Sequence, residues 1–182
     1  MSIENLPLRI DIGCGGKKRE GFIGVDQYPM PGVDHICRVG VEPLPFGDAT
    51  VDEAHCSHFY EHLTAIQRMQ FMNELFRVMK PKATCAVIVP HWASGRAYGD
   101  LTHQWPPVSE FHFYYLLRSW REENAPHTDK RWNPEGFDCD FDATWGYGLH
   151  PLLMTRNSEF QQHALTFYRE AAQDIHATLT KR

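Results

Sequence analysis

The chain has 182 residues, 42% of them hydrophobic and 23% charged, with a formal net charge of −5; this is the composition of an ordinary soluble globular protein and the length of one domain. The acidic balance disfavours a broad nucleic-acid-binding face, which needs clustered basic side chains, and no run approaches the roughly eighteen apolar residues of a membrane span. The N-terminus lacks the basic region and apolar stretch of a signal peptide, and five scattered cysteines, odd in number, read as buried thiols in a reducing compartment, so a cytoplasmic protein without a disulfide framework is expected.

Residues 8–12 read as a short buried strand leading into Gly13, Cys14, Gly15 and Gly16. "GFIGVD" (21–26) reads as a second strand ending, like the first, near an acid. About eight residues separate the two, whereas a parallel crossover normally takes a dozen or more with a helix. Either the helix has shrunk to a turn or the strands do not share a parallel sheet; the first reading is preferred. "VDHICRV" (33–39) is a third strand and "VDEAHCS" (51–57) a fourth, with a proline-rich loop between them.

From Thr64 the spacing of Ile66, Met69, Met72, Leu75, Phe76 and Met79 predicts a helix, with Thr64 and Gln67 as a capping box and Pro81 past its end. "ATCAVIVPH" (83–91) is a nearly continuous apolar strand of the kind buried on both faces. Beyond His91 the chain turns aromatic, and it reads as helical from about Ser109. Trp92, Trp105, Phe111, Phe113, Tyr114, Tyr115 and Trp120 suit either a stacking platform for an acceptor or the core of a small subdomain. Residues 121–136 form a long polar connection, a lid or a disordered segment. "FDCDFDATWGY" alternates like a half-exposed strand. Finally Phe160, Ala164, Phe167, Tyr168, Ala171 and Ile175 predict a C-terminal amphipathic helix of five or more turns, with Ser158 and Gln161 as its capping box. Such a helix would cover the sheet or pair with a second subunit in a homodimer. With no repeat or clear linker, residues 1–182 read as a single domain, 7–91 binding a cofactor and 92–182 shaping the acceptor side.

Alternating strands and helices imply an α/β fold with a Rossmann-like doubly wound sheet, whose ligand crevice lies at the carboxyl ends of the strands. Asp11, Asp26 and Ser57 fall at such ends. Gly13 and Gly15 let the backbone approach a ligand where a Cβ would clash. An acid ending the second strand can accept two hydrogen bonds from a ribose diol, so a nucleoside-containing cofactor is the natural ligand.

"LRIDIGCGG" followed by "GFIGVD" resembles the first two motifs of the class I S-adenosylmethionine-dependent methyltransferases, of the methyltransferase type 11-like kind. The resemblance continues through "LPFGDATVDEAHCSHFYEHL" and "LFRVMKPKATCAVIVPH" and covers residues 7–91. It implies a compact class I methyltransferase fold, its first crossover helix shortened, and S-adenosylmethionine as cofactor. It also implies that Asp11, Gly13, Cys14 and Gly15 approach the cofactor's amino-acid portion, Asp26 holds the ribose, and Ser57 and His58 line the site. A nicotinamide-binding Rossmann domain would instead want G-x-G-x-x-G with an acid about twenty residues on; here the pattern is G-x-G-G and Asp26 arrives early. Where the family often has an acid after the third strand, Arg38 stands.

Two further constellations carry chemistry. "HWASGRAYGDLTHQW" places His91, Asp100 and His103 beyond the fifth strand, on the side from which an acceptor would approach. Methyl transfer needs the nucleophile aligned and its proton removed, and a histidine beside a carboxylate can supply that base; the reading is His103 as base, Asp100 orienting it and His91 as second choice. "HFYEH" (58–62) matches an H-x-x-E-H zinc-peptidase spacing, so a zinc-dependent hydrolase using His58, Glu61 and His62 is the rival chemistry. Under the methyltransferase reading no metal is expected, Glu61 and His62 cap or brace the following helix, and the acceptor is a small molecule. A non-catalytic cofactor-binding or regulatory protein on the same scaffold is the other alternative.

Overall fold

A computed structural model describes residues 6–182. The strands β1 (Arg9–Ile12), β2 (Ile23–Asp26), β3 (His35–Ile36) and β4 (Val51–Ser57) precede helix α1 (Ala65–Val78), which runs directly into β5 (Met79–Pro90). Three short helices follow, α2 (Arg96–Gly99), α3 (Phe111–Tyr114) and α4 (Arg118–Asn124), then β6 (Phe141–Leu149), α5 (Ser158–Phe167) and β7 (Ala172–Lys181). The seven strands form one sheet in the order β3-β2-β1-β4-β5-β7-β6. β1 through β5 pair in parallel, while β7 is antiparallel to both β5 and β6.

The order reverses between β1 and β4, because β2 lies on one side of β1 and β4 on the other. In a doubly wound sheet this switch point opens the crevice where ligands bind. The connection from β1 to β2, residues 13–22, is a series of turns, as the short spacing predicts. Ile10, Ile12, Val25, Ala54, Cys56, Cys85, Val87 and Val89 are almost fully buried along the central strands. α1 adds Phe71, Met72, Leu75 and Val78 to the same core. Its start is set by the expected capping box: Thr64 Oγ1 accepts from the Gln67 amide at 3.4 Å and Gln67 Oε1 from the Thr64 amide at 2.9 Å.

The C-terminal helix is shorter than its periodicity predicts. α5 ends at Phe167, and Ala172–Lys181 is a strand inside the sheet, so the long amphipathic helix is replaced by helix plus strand. Ala171 and Ile175 fit helical spacing, but Ile175, Ala177 and Leu179 are buried while His176 and Thr178 are exposed, a period of two. Ile175, Thr178 and Thr180 are also β-branched, which favours a strand. The cap is Asn157, whose Oδ1 accepts from the Phe160 amide at 2.9 Å, rather than Ser158 with Gln161. Of the apolar stripe expected to cover the sheet or face a second subunit, Phe160, Phe167 and Tyr168 stay exposed.

The polar connection 121–136 is ordered around a buried cation, not disordered. Arg121 is fully buried; its Nε lies 3.3 Å from Asp129 Oδ2, and its guanidinium donates to the carbonyls of Tyr115 and Cys139, each at 2.8 Å. Among the described residues, no helix is long and apolar enough to cross a membrane.

Candidate active site

At the end of β1 the chain turns through Gly13 (φ +66°) and Gly15 (φ +50°), a region that L side chains rarely adopt. A Cβ on Gly13 would also meet the Phe59 ring at 2.3 Å. At Gly15 the same atom would meet nothing within 4 Å, so this part of the turn faces open space. Gly24 was missed in the sequence: its Cβ would meet Gly32 O and Cys14 Sγ, because the β2–β3 connection and the β1–β2 turn both fold back against β2. Burial, with the charges of Asp11 and Asp26, pushes the Cys14 thiol up to about 11, so it stays neutral.

The two acids do different things. Asp11 is buried with both oxygens engaged, Oδ2 accepting from the Arg19 amide at 2.7 Å and Oδ1 lying 2.7 Å from His55 Nδ1. It braces the turn. Asp26 is only half-buried; Oδ2 accepts from the Gly15 amide at 2.9 Å and Oδ1 from the Tyr28 amide at 3.0 Å. One bond to each oxygen leaves lone pairs free for hydroxyl donors. Ser57 ends β4, and His58 follows with φ +51°, its side chain 41% exposed. The Glu61 carboxylate beside it holds the His58 imidazole above the usual histidine range.

"HFYEH" does not form one helical face. His58 is the residue after β4, and Tyr60–His62 is a single 3-10 turn, so the peptidase-like pairing of His58 with His62 is not built. Nor do Glu61 and His62 cap α1, which Thr64 does. Instead Glu61 and His62 meet His103: one possible ligand atom from each lies within 4.8 Å of the others. The buried Arg68 fixes this juxtaposition by donating to the carbonyls of Tyr60, Glu61, Gln104 and Pro106. The Gln104 amide also donates to Glu61 O at 2.9 Å.

Of the residues expected on the acceptor side, His103 is largely enclosed, with Nδ1 3.1 Å from Ala97 O. Asp100 lies 3.9 Å from His103 Nε2, but its hydrogen bonds go to the Thr102 amide (2.8 Å) and hydroxyl (2.7 Å). His91 is elsewhere. Its Nδ1 accepts from the Ala93 amide at 3.2 Å, so Nε2 carries the proton and donates to Glu110 at 3.0 Å. Burial opposes ionisation of Glu110, but hydrogen bonds from His91 and Tyr147 outweigh it and lower the carboxyl to about 2. Burial and the adjacent Glu110 push Tyr147 up to about 12. His91 therefore belongs to a closed network, whereas His103 borders a cavity of about 250 Å³ lined by Tyr98, Leu101, Trp105 and Pro107. Phe113 is core, stacked on Trp145, while Trp92 and Trp105 remain exposed.

Parallel strands whose order reverses at β1/β4, with a glycine turn and an acid at the ends of adjacent strands, are the arrangement in which Rossmann-like sheets hold nucleoside cofactors. Residues 25–87 match the family model described as a methyltransferase domain. No curated protein matches the chain. Among solved structures, an S-adenosylmethionine-dependent methyltransferase from Archaeoglobus fulgidus is similar with TM-score 0.68 at 20% identity, over 98% of this chain and 87% of that one. One from Methanosarcina mazei gives 0.51 at 16%, over 95% and 91%. Geranyl diphosphate C-methyltransferase from Streptomyces coelicolor, solved with Mg2+, geranyl-S-thiolodiphosphate and S-adenosyl-L-homocysteine, gives 0.52 at 13%, over 97% and 70%. About a third of the chain thus carries a methyltransferase-domain match, and over nearly its whole length the fold is that of solved S-adenosylmethionine-dependent methyltransferases. Its residues fit that cofactor: the Gly15 backbone is open to a ligand, and Asp26 keeps acceptor capacity for a ribose.

Proposed function

We propose that this protein transfers a methyl group from S-adenosylmethionine to a nucleophilic atom of a small-molecule acceptor in the cytoplasm. The observation that carries the reading is the pairing of an open, left-handed Gly15 with the Asp26 carboxylate 2.9 Å away at the switch point. Gly13, Cys14 and Gly15 present backbone to the cofactor's amino-acid portion, Asp26 accepts from the ribose hydroxyls, and Ser57 and His58 line the methyl-bearing end. Asp11 positions the turn from below. When bound, the cofactor supplies a methyl group already activated as a sulfonium.

The acceptor enters the cavity beside His103, where Tyr98 and Trp105 offer apolar faces. Ala97 O holds the proton on Nδ1, leaving the Nε2 lone pair of His103 to take the acceptor's proton as the new bond forms. Asp100 acts one step away, through Thr102 on His62 (Thr102 Oγ1 to His62 Nδ1, 2.9 Å). His91 and Tyr147 together hold the Glu110 carboxylate. Four of the five cysteines are buried free thiols, which suits a reducing compartment.

Calorimetric titration with S-adenosylmethionine and S-adenosylhomocysteine tests the reading. Micromolar binding that weakens at least tenfold in Asp26→Ala supports it, and absence of binding to the intact protein overturns it. Binding without turnover on oxygen, nitrogen and carbon nucleophiles would convert it to a non-catalytic cofactor-binding protein.

A further inference from the structure

We propose that Glu61, His62 and His103 form a binding site for one divalent transition-metal ion of the zinc type. Ion binding is independent of the methyltransferase reading; only its role toward an acceptor rests on that reading. Three observations carry the proposal, and the first is convergence. Glu61 and His62 come from the turn after β4 and His103 from the loop after α2, and each brings a ligand atom within 4.8 Å of the other two. Ligands on a tetrahedral ion lie about 3.3 Å apart, given metal–ligand bonds of roughly 2.0–2.1 Å, so small side-chain rotations close the triangle.

The second observation is that both rings are held in the tautomer a metal needs. His103 donates its Nδ1 proton to Ala97 O at 3.1 Å. The Thr102 hydroxyl gives its proton to Asp100 Oδ1 at 2.7 Å and accepts from His62 Nδ1 at 2.9 Å. Each imidazole is thereby left with a lone pair on Nε2, and the rings stand edge to face with centroids 4.7 Å apart. Hydrogen bonds from the distal ring nitrogen to a carbonyl or a carboxylate-linked group are the usual support of metal-binding histidines.

The third observation is Glu61 itself. It is 4% exposed, and neither carboxylate oxygen has a hydrogen-bond partner among the described residues. His58 Nδ1 comes within 3.4 Å of Oε1, an ionic contact outside hydrogen-bonding alignment. The buried Arg68 does not neutralise it through direct bonds, because its donors go to backbone carbonyls. A buried carboxylate whose nearest cation is the half-exposed His58, and which lacks hydrogen bonds, is costly, and an ion among Glu61, His62 and His103 offsets that cost. Two imidazoles and a carboxylate suit zinc and its neighbours rather than calcium or magnesium. Three protein ligands also leave a position open toward the cavity beside His103. With the ion bound, the His103 lone pair would be a ligand, and the open position would hold the acceptor's nucleophilic atom and lower its pKa, so that its proton passes to solvent water before the methyl group is transferred.

The test uses the full chain, stripped with chelator, dialysed and titrated with zinc chloride alone. One equivalent should bind with a micromolar or lower dissociation constant. Binding should weaken at least tenfold in Glu61→Gln and in His103→Ala, and less in Thr102→Val, which keeps all three ligands. Cobalt(II) loading should give d–d bands of a four- or five-coordinate site without a thiolate band, and Cys14→Ser should change neither result. Circular dichroism and S-adenosylmethionine titration of each variant separate loss of the site from loss of the fold. Absence of saturable zinc binding, or equal affinity in the parent, Glu61→Gln and Thr102→Val, overturns the proposal. Cofactor binding without zinc binding would remove the metal site and leave the methyltransferase reading standing; zinc binding without cofactor binding would do the reverse.

Discussion

Asp11 Oδ1 and His55 Nδ1 lie 2.7 Å apart across β1 and β4, at positions paired directly in the parallel ladder. The contact bridges the two strands between which the sheet order reverses, and the other oxygen of Asp11 holds the Arg19 amide. Strand pairing and glycine-turn geometry are thus tied to one carboxylate. Asp11→Asn should cost roughly 1–3 kcal/mol, the range for unmaking buried hydrogen bonds to a charged group. It should also weaken cofactor binding without touching the ligand. Urea unfolding and calorimetry check both; unchanged stability would mean that the bridge is not a structural tie.

Gly13 combines a left-handed backbone with a ring pressed against it. Gly13→Ala should destabilise the fold by about 1–3 kcal/mol from backbone strain alone and abolish measurable cofactor binding. Adding Phe59→Ala should recover part of the steric loss and none of the strain, a coupling readable in a double-mutant cycle. Strict additivity of the two changes would show that the ring does not press on Gly13.

Arg121→Met should cost about 1–3 kcal/mol, because it removes one of the two cations paired with the buried Asp129, which keeps Arg131 at 2.7 Å. The carbonyls of Tyr115 and Cys139 lose their donors as well. The expected observation is a lower urea midpoint, with limited proteolysis cutting first within 121–136. A midpoint within error of the parent would contradict the central place given to this side chain.

Acid should act on α3 in two stages. Burial, and then the charge of Arg68, lowers His112 from 6.5 to about 4. The unfolded chain therefore binds the extra proton first, and stability falls as the pH drops from 6.5 to 4. Glu110 is lowered from 4.5 to about 2, so its contribution is complete above 4.5 and is lost as the pH falls toward 2. His112→Gln should flatten the first window and Glu110→Gln the second, read as urea midpoints against pH. If neither variant alters its own window, these groups do not control the acid response.

Much of the cofactor side was legible because its signals are local. β4 occupies 51–57 as expected, the Thr64–Gln67 box starts α1, and the glycine turn follows β1. What escaped depends on distant parts of the chain. Ala171 and Ile175 satisfy two periodicities, and only a place between β5 and β6 decides for the strand. Asp100 is three residues from His103, which invites pairing, yet the turn directs its carboxylate to Thr102 and so to His62. The meeting of Glu61 with His103 spans about forty positions and depends on the buried Arg68, a residue whose spacing on α1 gives no hint that it ties the loop after α2 to the turn after β4.

The placement of β7 has a consequence for biosynthesis. The strand pairs Thr84 with Thr180 at one end and Pro90 with Asp174 at the other, and β6 joins the sheet only through it. A growing chain can assemble β1 to β5 early, but the flank of β5 stays unpaired until residues 172–181 have left the ribosome. The nascent protein must carry an apolar strand with free amides and carbonyls for the roughly eighty residues that separate β5 from β7. A premature stop between β6 and β7 would leave both β5 and β6 without their shared partner, so the shortened product should be aggregation-prone however intact its cofactor half.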